Sequence, residues 1–117
     1  MTRLTTHVLD TAAGRPARGL RGSLWRCGDD HRALVLSFVT NADGRVDRPL
    51  LEGAAFECGV YELVFETADY FRACGVVLPE PPFLDSVSLR FGIADASANY
   101  HVPLLLSPWS YSTYRGS

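Results

Sequence analysis

Three histidines are the first acid–base candidates in this chain, because imidazole titrates near neutral pH without help. His31 lies between Asp30 and Arg32 in a polar turn and reads as solvated. His7 and His101 sit in alternating, strand-like segments near the two ends of the chain. Side chains alternate across a strand, so parity places each imidazole. Leu4 and Val8 share one face of the first segment, which puts His7 on the other with Thr5 and Leu9. In the later segment Tyr100, Val102, Leu104 and Leu106 form the apolar face, and His101 lies opposite. Both imidazoles are expected to leave the core.

Other chemistries find less support. Zinc needs three or four converging N, S or O ligands, yet there is no His-x-His or His-x-x-x-His spacing and no Cys-x-x-Cys pair. No metal site is expected. A nucleophile elbow of the form Gly-x-Ser-x-Gly is missing as well. Cys27, Cys58 and Cys74 are odd in number and scattered, and read as reduced, buried small hydrophobes rather than a disulfide framework. The segment Tyr111 to Ser117 combines phenols, a guanidinium, a glycine joint and a hydroxyl, a set that suits folding into a pocket.

These groups must be positioned by 117 residues, a length that suits one domain over residues 1–117. The composition, 47% hydrophobic and 21% charged, is that of an ordinary globule. A net charge of −2 offers no basic field for a phosphate backbone, so nucleic acid is not an expected partner. No segment approaches the ~20 apolar residues that span a bilayer, and the first residues lack the apolar run of a secretory signal. Neither a membrane partner nor export is expected. With reduced cysteines, this favours the cytoplasm, or the peroxisome in a eukaryote.

Short alternating segments separated by turn residues predict an all-β fold. Strands are expected over Arg3–Leu9, Leu20–Arg26, Ala33–Thr40, Val46–Leu51, Gly59–Glu66, Val87–Ile93, Tyr100–Leu106 and Ser110–Tyr114. Pro49 confines the fourth to an edge or bulge. One short helix fits Ala68–Cys74, capped by Thr67 and ended by Gly75. A parallel α/β fold would need a crossover helix after most strands. The expectation is an antiparallel β-sandwich.

At this point the motifs match a known pattern. Thr6-His7-Val8-Leu9-Asp10, Thr40-Asn41-Ala42-Asp43-Gly44-Arg45, Gly59-Val60-Tyr61, Thr67-Ala68-Asp69-Tyr70-Phe71, Tyr100-His101-Val102-Pro103-Leu104-Leu105-Leu106-Ser107-Pro108 and the terminal Tyr114-Arg115-Gly116-Ser117 occur in order along essentially the whole chain. The chain resembles the 5-hydroxyisourate hydrolases, the transthyretin-like enzymes of urate breakdown. The resemblance implies two four-stranded sheets with one short helix, and a homotetramer with active sites in clefts between subunits. It implies ring opening of 5-hydroxyisourate by water, without metal or organic cofactor. Carried over residue by residue, it implies catalytic roles for His7, Arg45, His101 and Ser117. Substrate binding falls on His7, Arg45, Tyr114, Arg115, Gly116 and Ser117. Which histidine acts as base stays open. The rival expectation is a transthyretin-like carrier of thyroid-hormone type that does no chemistry.

Overall fold

Alternation of burial along the strands that face the core builds the fold. A computed structural model describes residues 2–116. Its strands are β1 (Arg3–Asp10), β2 (Arg15–Pro16), β3 (Arg21–Cys27), β4 (Arg32–Val39), β5 (Leu51–Glu52), β6 (Gly59–Phe65), β7 (Val87–Ile93), β8 (Tyr100–Leu106) and β9 (Tyr111–Thr113), with one α-helix, α1 (Thr67–Ala73). One sheet runs β2–β1–β8–β9, with β5 also pairing with β1; the other runs β4–β3–β6–β7. Between them lie Leu4, Val8, Leu24, Leu63, Phe65, Leu104 and Leu106, all fully buried. Each such side chain contributes about 1.5–3 kcal/mol of burial. Phe38 meets Phe65 edge to face, with ring centroids 6.0 Å apart.

Every strand pair is antiparallel except β1 with β8, which run parallel. These strands come from opposite ends of the chain, so no tight hairpin fixes their direction. Their register sets Thr5 beside His101 and His7 beside Pro103. That pairing brings two distant segments into one site.

Three local expectations are corrected. The fourth strand shrinks to Leu51–Glu52, because residues 45–50 are organised by a turn. Asn41 Oδ1 accepts from Asp43 N–H and Arg45 N–H, and Asn41 Nδ2 donates to Asp47 Oδ1. Leu50 N–H then joins Leu4 O at 2.8 Å, and Pro49 has no N–H to offer. Thr67 does not cap the helix: it lies inside the first turn, and its hydroxyl donates to Asp85 O at 3.4 Å. Gly75, at φ +86°, does terminate the helix; its N–H bonds Arg72 O and Val76 N–H bonds Phe71 O, the two bonds of a Schellman end. Finally, the cysteines are not buried. Cys27 is half-buried, whereas Cys58 and Cys74 are exposed: Cys27 ends β3, Cys58 immediately precedes β6 and Cys74 follows α1. The two-residue strand Arg15–Pro16 pairs with the end of β1.

Candidate active site

The first strand buries Leu4, Thr6, Val8 and Asp10, leaving Thr5, His7 and Leu9 half-buried on the outer face. In β8, Tyr100, Val102, Leu104 and Leu106 are buried while His101 is not. Strand parity therefore sends both imidazoles out of the core. They share the outer face of one sheet, two residues out of register across the parallel pair.

Arg45 reaches them through the turn after β4. Gly44 adopts φ +75°, and a Cβ there would lie 2.3 Å from Val8 O. Only glycine lets the turn press this closely on β1. Val8 N–H bonds Gly44 O at 2.8 Å, and Arg45 forms a backbone bridge with His7. The same turn orients the first imidazole, since His7 Nε2 donates to Asp43 O at 2.8 Å. A carbonyl only accepts, so neutral His7 carries its proton on Nε2 and its lone pair on Nδ1.

The second imidazole is held on two sides. His101 Nδ1 and Thr5 Oγ1 share a hydrogen bond of 2.8 Å. Gly116 N–H bonds His101 O at 2.7 Å, laying the end of the chain against β8. A Cβ on Gly116 would come within 2.7 Å of His101 Cδ2. The ring thus rests on a residue that has no side chain.

His101 and Arg45 line a polar cleft of about 580 Å³, together with Arg3, Thr5, Arg48 and Asn99. Burial holds the His101 imidazole below its ordinary pKa, and the nearby charges of Arg45 and His7 push it the same way; Thr5 pulls weakly against them. A neutral imidazole beside fixed guanidinium groups can accept a proton from water while positive charge faces a developing oxyanion. Among the described residues, no group of three or more His, Cys, Asp or Glu side chains gathers as metal ligands would.

The expected site residues divide. His7, Arg45, His101 and Gly116 come together. Tyr114 and Arg115 line a neighbouring groove of about 310 Å³ that reaches between the sheets to Leu89, Phe91 and Val102. Arg115 stacks on Tyr100, its Cζ 4.0 Å from the ring centroid, and donates to Asn99 O at 3.3 Å. Ser117 lies outside the described residues. His31 is exposed, as its turn position implies. Sequence reasoning missed Thr5, the side-chain partner of His101, and Asn41, the organiser of the Arg45 turn. Asn ahead of a Gly-containing turn was a readable sign of an Asx turn.

Two imidazoles and a guanidinium gathered on one outer face of a two-sheet sandwich make this a β-sandwich equipped for proton transfer. Residues 4–116 match the model of the HIUase/Transthyretin family. The chain belongs to that family. It is 66% identical over 115 residues to 5-hydroxyisourate hydrolase 2 of Rhizobium meliloti, covering 98% of this chain and 96% of that protein. Identity to the 5-hydroxyisourate hydrolase of Ralstonia nicotianae is 61% over 117 residues, the whole of both chains. Among solved structures, an (S)-allantoin synthase superposes with TM-score 0.94 at 49% identity, covering 99% of this chain but 44% of that one. Sea bream transthyretin in complex with thyroxine superposes with TM-score 0.85 at 28% identity, covering 97% of this chain and 94% of that one.

Proposed function

We propose that this protein is an enzyme that hydrolyses 5-hydroxyisourate to 2-oxo-4-hydroxy-4-carboxy-5-ureidoimidazoline. The observation that carries the reading is the convergence of His7, Arg45 and His101 in a chain so close, end to end, to named 5-hydroxyisourate hydrolases. A carrier shares the fold, but sea bream transthyretin is much less similar in sequence, and the lining of the cleft here is dominated by Arg3, Arg45, Arg48, His101 and other polar side chains.

In the reaction, His101 Nε2 takes a proton from water as the oxygen adds to a ring carbonyl carbon. The carbonyl electrons move to oxygen, and the oxyanion is stabilised by Arg45, which stays protonated and serves as no base. Collapse restores the C=O and breaks the ring C–N bond. The imidazolium returns its proton to the departing nitrogen, and the new acid ionises. His7, with Nε2 committed to Asp43 O, holds the substrate and supports the proton transfers. The family resemblance adds the hydroxyl of Ser117 to this relay and assigns Tyr114, Arg115 and Gly116 to substrate binding. No cofactor takes part.

The site residues lie on an exterior sheet face, and β7 and β9 are edge strands of their sheets. A homotetramer with the cleft between subunits fits both features. Sedimentation of a fully active monomer would reject that assembly. Among the described residues, no helix is long and apolar enough to cross a membrane; the cytoplasm is the proposed compartment. The activity itself is tested by generating 5-hydroxyisourate from urate with a urate oxidase and following its absorbance. Catalysed decay is expected, and a rate equal to the spontaneous one would refute the reading.

A further inference from the structure

We infer that Thr5 is a positioning residue for this hydrolysis: its hydroxyl accepts a hydrogen bond from His101 Nδ1–H, which leaves the Nε2 lone pair as the basic site of the ring. The inference rests on the hydrolase reading above. It starts from the register of the parallel β1–β8 pair, which sets Thr5 directly beside His101 on the outer face. The two side chains meet at 2.8 Å, and both are half-buried at the wall of the cleft. Threonine suits the task, because its β-branch stiffens χ1 and fixes where the hydroxyl points.

Restraint comes from two directions. Thr5 grips Nδ1, while Gly116 lies so close to Cδ2 and Cγ that the ring rests on backbone. An imidazole held at one nitrogen and along one flank cannot flip without breaking the bond to Thr5. The hydroxyl can in principle donate or accept. If Thr5 donated to Nδ1, the neutral ring would carry its proton on Nε2 and could not take one from water there. Acceptance by Thr5 leaves Nε2 bare. The backbone of Thr5 acts in the same sense, favouring a proton on the ring, as an accepting carbonyl does.

Charged and titratable groups surround His101 from several elements. Arg3 and His7 come from β1, Arg45, Asp47 and Arg48 from the loop after β4, and Arg115 from the chain end. Replacing Thr5 alters none of them, so a changed pH profile in a Thr5 variant reports the lost hydrogen bond.

The test uses the full chain. Ring nitrogen chemical shifts of ¹⁵N-histidine-labelled protein, with His101 assigned by His101→Asn, should show neutral His101 protonated at Nδ1. In Thr5→Val, which keeps the shape and removes the hydroxyl, both tautomers should appear. Its kcat should fall about ten-fold with KM within two-fold, since the change misplaces a reactive group and leaves substrate binding intact. Loss of an acceptor that favours the cation should also move the acid limb of the kcat profile to lower pH. Thr5→Ser should restore most of the rate. Wild-type His101 protonated at Nε2, or Thr5→Val with unchanged kcat and acid limb, would overturn the inference. Should wild-type protein fail to turn over 5-hydroxyisourate at all, the hydrolase reading falls, and with it the role of Thr5 in hydrolysis. The ring-nitrogen shifts distinguish that failure from a misassigned hydrogen bond.

Discussion

Replacing Gly116 by alanine adds one methyl group at a point where the His101 ring leaves no room for it. The new Cβ would stand 2.7 Å from His101 Cδ2, 3.1 Å from Cβ and 3.2 Å from Cγ. Carbon atoms in van der Waals contact sit about 3.5–4.0 Å apart, so ring and chain end must separate by roughly 0.8 Å or more at the tightest point. Moving the ring strains the bond from His101 Nδ1 to Thr5, and moving the chain strains the Gly116 N–H bond to His101 O. A misplacement near 1 Å is worth on the order of 100-fold in rate, so kcat should fall about 10- to 100-fold. Stability should change by no more than about 1 kcal/mol, the scale of one hydrogen bond, because Gly116 follows the last strand and is only half-buried. The assay pairs 5-hydroxyisourate decay with thermal melting on one preparation. Normal kcat with a normal Tm would show that the chain end does not position His101.

Five further outcomes follow from the same geometry. His101→Asn and His7→Asn should each cut turnover strongly while the melting temperature holds, because both rings leave the core; activity and Tm on the same samples check this. Turnover should fade as pH drops through the His101 pKa, and the midpoint should lie below the ordinary 6.5, since burial and the charges of Arg45 and His7 resist protonation. Arg45→Gln removes one of those charges, so its residual activity should show an acid limb moved upward. Deleting residues 115–117 should abolish most hydrolysis while costing about 1–3 kcal/mol in a denaturant titration, the worth of the Arg115 stack on Tyr100 and the Gly116 backbone bond. Gly44→Ala should cost at least about 1–3 kcal/mol, because the residue needs positive φ and its Cβ would strike Val8 O; kcat/KM should fall with it as Arg45 moves.

Alternation made much of the architecture legible. Tyr61, Leu63 and Phe65, or Val87, Leu89 and Ile93, mark the inner face of their strands without any structure, and the same period sends His7 and His101 outward. What the period cannot give is which strands become neighbours. Thr5 and His101 are 96 positions apart, and nothing local records that β1 and β8 run parallel. Arg45 entered only through family resemblance, because its placement depends on Gly44 packing against Val8 and on the Asn41 side chain closing the turn. Residues 46–50 misled in the opposite direction. Their apolar residues suggested a strand, but Leu50 and Leu51 serve the core while the segment before them follows the turn. The cysteines were assigned by their usual behaviour as buried residues, and the positions of Cys58 and Cys74 beyond the ends of regular elements exposed them instead.

Hydrolysis by His7, Arg45 and His101 is tested most directly by single-turnover decay of 5-hydroxyisourate, with enzyme in excess, for wild-type protein and for His7→Asn/His101→Asn at matched concentration and pH. The wild type should consume the substrate far faster than buffer alone and yield 2-oxo-4-hydroxy-4-carboxy-5-ureidoimidazoline, and the double variant, folded by circular dichroism, should fall to within a few-fold of the spontaneous rate. A double variant that retained most of the wild-type rate would place the chemistry elsewhere in the molecule.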